Sequence, residues 1–169
     1  MNQAVFEQEV GANEYLLRLA QSTAGRGYKQ RALHQLALSR GERIADLSCG
    51  PGADLPLFAD AVGPSGHVLG IDHSEAAVAE GRARTAHLHQ VRVEVSELVS
   101  PAARLDGSFD AVHTDRVLQH VSDPDAALAS AARLLRPGGR AVFAEPDWRT
   151  LVIDHAEPAL PEAFTPLHR

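Results

Sequence analysis

The spacing of apolar and polar positions changes character near residue 41. Before it, Val5, Leu16, Leu17 and Leu19 supply part of one helical face, and the spacing predicts a helix over 4–20. Ala24-Gly25-Arg26-Gly27 is expected to interrupt the helical pattern. A second helix is expected from about Tyr28 to Ser39, with Leu33, Leu36 and Leu38 as apolar members and Gly41 as its stop. Beyond Gly41, short apolar runs alternate with helical stretches. Residues 43–47, 67–71, 91–95, 109–113 and 140–144 read as five strands. Between them, 53–62, 75–87 and 123–136 read as helices. Ser74 is the N-cap of the second, Asp123-Pro124 opens the third, and Pro137-Gly138-Gly139 stops it. Strands separated by helices of ~10–15 residues pair in parallel, so the pattern predicts an open, doubly wound α/β sheet. The prolines between Pro158 and Arg169 make that last stretch an expected irregular tail.

Composition narrows the picture. The 169 residues suit one domain. Sixteen basic against 22 acidic side chains give a net charge of −6, which argues against a nucleic-acid partner. Apolar residues at 44% supply a real core, and aromatics at only 5% mean it is built from Ala, Leu and Val. The single cysteine, Cys49, excludes an internal disulfide framework and fits a reducing compartment. No apolar run reaches the ~18–20 residues of a membrane span. The start, MNQAVFEQEV, lacks the basic and apolar regions of a signal peptide. A cytoplasmic protein without membrane insertion is therefore expected.

The chemistry concentrates after the first strand. Ligands of doubly wound sheets sit at the carboxyl ends of the strands, where Asp46-Leu47-Ser48-Cys49-Gly50-Pro51-Gly52-Ala53 lies. Gly50 and Gly52 let the backbone approach a ligand closely. Asp72, ending the second strand, can accept hydrogen bonds from both hydroxyls of a ribose. These features indicate an adenosine-containing cofactor. A dinucleotide fingerprint would need a third glycine where Leu55 stands. Asp46 and Asp54 would also repel a pyrophosphate, whereas S-adenosyl-L-methionine carries an ammonium and a sulfonium and no phosphate.

On these residues the chain resembles the class I S-adenosylmethionine-dependent methyltransferases, and within them the small-molecule branch of ubiquinone/menaquinone C-methyltransferases. Asp46-Leu-Ser-Cys-Gly-Pro-Gly matches that family's glycine-rich first motif, and Gly70-Ile-Asp-His-Ser its second. Gly107-Ser-Phe-Asp-Ala-Val, Arg116-Val-Leu-Gln-His-Val and Leu134-Leu-Arg-Pro-Gly-Gly-Arg follow in the family's order, so the likeness spans roughly residues 25 to 155. It implies a mainly parallel, five-stranded Rossmann-like sheet of order 3-2-1-4-5. Residues 1–40 would form N-terminal helices capping the cofactor and acceptor site, 41–147 the cofactor-binding core, and 148–169 the tail. Three departures stand out. Ser48 replaces the usual first loop glycine. Glu97-Leu98 stands where an Asp-Ala pair is usual. The stretch after Glu145 is too short for the family's last helix and two antiparallel strands, so those strands are expected to be lacking. Strand five would then be an open edge, covered by the tail or by a second copy of the chain.

The resemblance implies methyl transfer to a small organic acceptor at O, N or C, with S-adenosyl-L-homocysteine as product. Asp46, Ser48, Gly50, Pro51 and Gly52 would hold the methionine end, Asp72 and His73 the ribose, Glu97 and Leu98 the adenine. Thr114 would form the lip of the pocket. His120, on a short helix after strand four, is the candidate general base; a structural role is its competing reading. His87 and His89 lack a third ligand, so no metal site is expected. Cys49 has no paired base for nucleophilic work. The alternative function is a non-methylating protein that keeps the cofactor as a structural or electrostatic element, or an inactive interaction domain.

Overall fold

The structure, a computed structural model, describes residues 12–101 and 105–147. The expected tail over 148–169 and the start of the first predicted helix lie outside the described residues.

Five strands form one sheet: β1 (Arg43–Leu47), β2 (His67–Asp72), β3 (Val91–Val95), β4 (Phe109–Asp115) and β5 (Leu135–Ala144). Their order is β3-β2-β1-β4-β5 and every pairing is parallel, as the alternation of strand and helix predicts. Parallel strands covered on both faces become nearly continuous apolar runs. In β1 every residue after Arg43 is buried, and in β4 every residue before Asp115. Successive side chains leave a strand on opposite faces. Ile44, Val68, Val93 and Ala111 thus join one core, while Ala45, Leu69 and Val112 join the other.

The helices are α1 (Ala12–Gln21), α2 (Thr23–Leu36), α3 (Leu55–Val62), α4 (Glu75–Thr85) and α5 (Pro124–Leu134). Leu36 of α2, Leu55 and Phe58 of α3 and Val78 of α4 cover the first face; Ala127, Ala131 and Leu134 of α5 cover the second. No helix among the described residues is long and apolar enough to cross a membrane.

Three boundaries differ from expectation by more than two residues. The first helical break falls at Ser22, and Gly25 and Gly27 lie inside α2. The Ser22 hydroxyl caps α2 by accepting from the Gly25 N–H at 2.9 Å. A Cβ on Gly25 would stand 1.8 Å from the Leu19 carbonyl oxygen, so the glycine lets α1 and α2 turn tightly against each other. The far end of α2 is Leu36, followed by a left-handed Ala37 at φ 44°. Gly41 is not the stop; its N–H bonds to Val62 O at 2.8 Å in the turn beyond. Arg140 replaces a glycine cap by donating to the carbonyls of Leu36 and Ala37. Finally, Pro137-Gly138-Gly139 does not separate α5 from its strand. β5 starts at Leu135, and the register slips between Phe109↔Leu135 and Ala111↔Arg140, so the three residues form a bulge.

In this order β2 and β3 extend from one side of β1 and β4 and β5 lie on the other. The crevice at the carboxyl ends of β1 and β4 is where the topology reverses, the place where such sheets bind ligands.

Candidate functional site

The loop after β1 is built from unusual backbone and pinned from behind. Ser48, Gly50 and Gly52 all have positive φ, at 59°, 53° and 74°. A Cβ on Gly52 would meet Leu55 Cδ1 at 3.0 Å and Gly81 Cα at 3.1 Å, so the loop lies directly against α3 and α4. Ser48 adopts a left-handed conformation that glycine takes without strain, at a cost of ~1–2 kcal/mol for an ordinary residue. Asp72 fixes the loop. Its Oδ2 accepts from Gly50 N at 2.9 Å and its Oδ1 from Ser74 N at 2.9 Å, which ties the β1 loop to the start of α4. Ser74 caps α4 as predicted, accepting from Ala77 N.

Behind the loop, β1 and β4 place Asp46 beside His113 in register. His113 Nδ1 lies 2.7 Å from Asp46 Oδ1, with both side chains at least 96% buried. Burial pushes the Asp46 carboxyl up against the opposing influence of His113. For His113 burial works downward, but the Asp46 carboxylate outweighs it and holds the imidazole above its usual range. The ring also packs edge-on against Phe58, with centroids 5.0 Å apart.

In front of the loop, α2 delivers a cation. Lys29 Nζ donates to Asp54 Oδ2 at 2.5 Å and to Asp115 Oδ2 at 2.6 Å. Tyr28 donates its hydroxyl hydrogen to the same Asp115 oxygen at 2.9 Å. Burial opposes the charge on Lys29, yet the two carboxylates more than offset it and hold the ammonium above its ordinary range. Burial likewise opposes ionisation of Asp115, and Lys29 reverses the balance, holding that carboxyl low. Lys29, Asp46, Ser48, Gly50, Pro51, Asp54, Asp115 and Arg116 all line one cavity, which Leu16 of α1 borders. Asp54 Oδ1 and Asp115 Oδ1 are buried there and accept no hydrogen bond. Unsatisfied buried acceptors are costly, so these oxygens suit a ligand that brings N–H groups and positive charge. Asp46, Asp54 and His113 also bring ligand atoms within 4.8 Å of one another. Their inner oxygens are already engaged by His113 and Lys29.

The structure brings Asp46, Ser48, Gly50 and Pro51 into one wall, with Gly52 and Asp72 as their supports. His73 is nearly half exposed, its Nδ1 3.6 Å from Asp72 Oδ1. Glu97 is exposed, whereas Leu98 belongs to the α5-side core. Thr114 is fully buried, its hydroxyl oxygen accepting and donating to no partner, so it lies under the expected lip. His120 is on a turn closed by His120 N to Val117 O at 2.9 Å, not on a helix. Burial lowers its pKa, reinforced by the charge of Arg116 and opposed by Glu145. Burial, then the charges of Asp46 and Asp72, push the Cys49 thiol up, which disfavours a thiolate.

Sequence reasoning missed three participants. Lys29 shares the buried stripe Gly25, Lys29, Ala32, Leu36 of α2, and a lysine at helical spacing among core positions was the available signal. His113 sits inside a strand buried on both faces. Glu145, following β5, accepts from Val117 N and Leu118 N at 2.8 Å each and so holds the turn that carries His120. Nothing local in the sequence marks that contact.

The chain is similar to known proteins in sequence and in fold. A sequence profile of the methyltransferase domain matches residues 38–166. An uncharacterized 37.1 kDa protein in transposon TN4556 of Streptomyces fradiae is 48% identical over 162 residues, covering 95% of this chain and 47% of that protein. Demethylmenaquinone methyltransferase of Staphylococcus aureus is 32% identical over 126 residues, 75% of this chain and 52% of the relative. The chain thus spans about half the length of these curated relatives. A solved structure of a SAM-dependent methyltransferase from Aquifex aeolicus superposes with a TM-score of 0.69 at 20% identity, over 94% of this chain and 79% of that one.

Proposed function

Because this chain belongs to the class I S-adenosylmethionine-dependent methyltransferases, we propose that it transfers a methyl group to a small organic acceptor at O, N or C. The observation that carries the reading is the cavity in front of the β1 loop, where buried carboxylate oxygens of Asp54 and Asp115 face a loop held open by Gly50 and Gly52. S-adenosylmethionine, when bound, supplies a sulfonium methyl whose C–S bond breaks as the acceptor's lone pair forms the new bond, leaving S-adenosylhomocysteine. The protein's contribution is to place the partners. In-line proximity of this kind is worth ~7–11 kcal/mol of barrier.

In this reading Asp46, Ser48, Gly50, Pro51 and Gly52 surround the methionine end and Asp72 with His73 the ribose. The Asp72 carboxylate accepts two backbone N–H bonds, one to each oxygen, and each oxygen keeps lone-pair capacity for a ribose hydroxyl. Glu97 and Leu98 flank the adenine, and Thr114 supports the floor. His120 takes a proton from the acceptor. Its lowered pKa keeps the basic form available near neutrality. Residues 1–40 cap the site and 41–147 bind the cofactor. The name of the Staphylococcus relative supports a small-molecule acceptor. The single cysteine supports a cytoplasmic setting.

Titration calorimetry with S-adenosylhomocysteine should show one site per chain, and labelled S-adenosylmethionine should pass its methyl group to an acceptor in a small-molecule extract. A folded protein that does not bind S-adenosylhomocysteine removes the reading. Binding without transfer to any acceptor supports the non-methylating alternative instead.

A further inference from the structure

Arg116 follows β4 directly and lines the cavity in front of the β1 loop from its β5 side. Its backbone is left-handed at φ 58°, and its N–H donates to Ala144 O at 2.7 Å. A bulky residue keeps that conformation only where its surroundings impose it, and such positions gather at functional sites. The turn that begins there is braced. It closes through His120 N to Val117 O at 2.9 Å, and Glu145 accepts from the Val117 and Leu118 amides. Arg116 thus enters the turn that the candidate base His120 ends.

The guanidinium is only partly used. Its Nε faces Asp115 Oδ1 at 3.4 Å, an ion pair without a hydrogen bond. Asp115 is already served at Oδ2 by Lys29 and Tyr28. The two terminal amino groups of Arg116, with four N–H donors between them, have no partner among the described residues. With Nε buried and the side chain 21% exposed, the fork is held in place at the cavity wall.

The charges of the wall point the same way. Asp46, Asp54 and Asp115 are matched by Lys29, Arg116 and, behind Asp46, the protonated His113. S-adenosylmethionine carries an ammonium, a sulfonium and a carboxylate, one net positive charge. The loaded site then holds a cation in excess in a poorly solvated place. An anionic acceptor neutralises it, and an ammonium would double it.

We propose that Arg116 anchors the methyl acceptor, its open fork gripping a carboxylate or phosphate, so that the acceptor is a small oxyanion-bearing molecule. This rests on the methyltransferase reading above and supplies the acceptor class which that reading leaves open. A guanidinium fork fits either oxyanion bidentately. It also engages the lone pairs of those oxygens, so the atom methylated is another one of the same molecule. That atom's lone pair forms the bond to the methyl carbon, the C–S electron pair stays with sulfur, and the displaced proton goes to His120.

The test is calorimetry on the chain loaded with sinefungin, an analogue whose amine carries charge where the sulfonium would. The probes are benzoate, phenyl phosphate and neutral benzyl alcohol, on wild type, Arg116→Asn and Arg116→Lys. Asparagine tolerates a left-handed backbone, so it removes the guanidinium without new strain. Wild type should bind at least one anion about tenfold or more tighter than benzyl alcohol, the scale of one charge-assisted hydrogen bond. Which anion wins separates a carboxylate acceptor from a phosphate one. Arg116→Asn should lose the preference while its sinefungin affinity stays within about twofold of wild type. Arg116→Lys, a charge without a fork, should keep part of it. Labelled product formed from a small-molecule extract should be retained by an anion exchanger at neutral pH.

No preference for either anion in wild type overturns the proposal, as does labelled product that passes the exchanger. Arg116→Asn that keeps the preference overturns it too. Sinefungin binding that weakens in step with the anions assigns Arg116 to the cofactor and is equally fatal. Where Arg116→Asn does not fold, Arg116→Lys and the wild-type series decide. Wild type that binds neither sinefungin nor S-adenosylhomocysteine removes the cofactor reading itself, whereas cofactor binding without anion preference removes this inference alone.

Discussion

Replacing His113 by phenylalanine should destabilise the fold, and the loss should shrink as pH rises. His113 Nδ1 and Asp46 Oδ1 lie 2.7 Å apart, an ion pair when the imidazole is protonated, with side-chain exposures of 3% and 4%. Phenylalanine preserves the ring that packs on Phe58, so packing changes little. What remains is a carboxylate stripped of its partner, and breaking one side of a buried pair costs ~3–5 kcal/mol. The sign of the pH dependence follows from the direction of the shift. The Asp46 carboxylate raises the folded-state pKa of His113 above 6.5 against the pull of burial. That stabilisation is complete below 6.5 and disappears as pH climbs through the folded-state value. Above it the neutral imidazole still donates Nδ1–H to the carboxylate, a bond worth ~1.5–3 kcal/mol. The penalty of His113→Phe should therefore fall by about 2 kcal/mol between about pH 5.5 and about pH 9. Urea unfolding of both proteins across that range, at constant ionic strength, measures it. A penalty that is flat with pH, or below ~1 kcal/mol throughout, refutes a charged pair.

Three further substitutions probe the loop and its neighbours. Asp72→Ala removes both hydrogen bonds that tie Gly50 to Ser74 and should cost about 2–4 kcal/mol by urea unfolding, together with a loss of S-adenosylhomocysteine affinity; unchanged stability would show the loop is held some other way. Gly52→Ala combines a left-handed backbone with contacts of 3.0 and 3.1 Å, so it should lose about 2 kcal/mol, seen as a lower Tm. Glu145→Ala frees the amides of Val117 and Leu118, whose hydrogen exchange should accelerate while that of the β1 amides stays unchanged.

The fold was legible because its signals were local. The apolar run of β1 starts and stops at the predicted residues, Ser74 caps the helix it was expected to cap, and Asp123-Pro124 opens the next one as expected. The errors arose where a tertiary contact outweighs local preference. Gly25 is tolerated inside α2 because α1 presses on it, and Ala37 takes a glycine's conformation because Arg140 holds the helix end. The site divides in the same way. Asp46, Gly50, Gly52 and Asp72 are visible as spacing around a strand end. Lys29, His113 and Glu145 gain their meaning only when α2, β4 and the segment after β5 meet, which no window of sequence displays.

The ion pairs of Lys29 have a practical corollary. Among all side chains of this protein it supplies the one primary amine, since every other strong base is arginine. Acylating reagents need an uncharged, accessible amine, and here the amine is buried and held protonated by two carboxylates. Its modification rate therefore clocks the excursions in which α2 lifts away from the strand ends. Mass spectrometry of the acyl adduct on the peptide that contains Lys29 turns that helix into a self-reporting latch, with no engineered label.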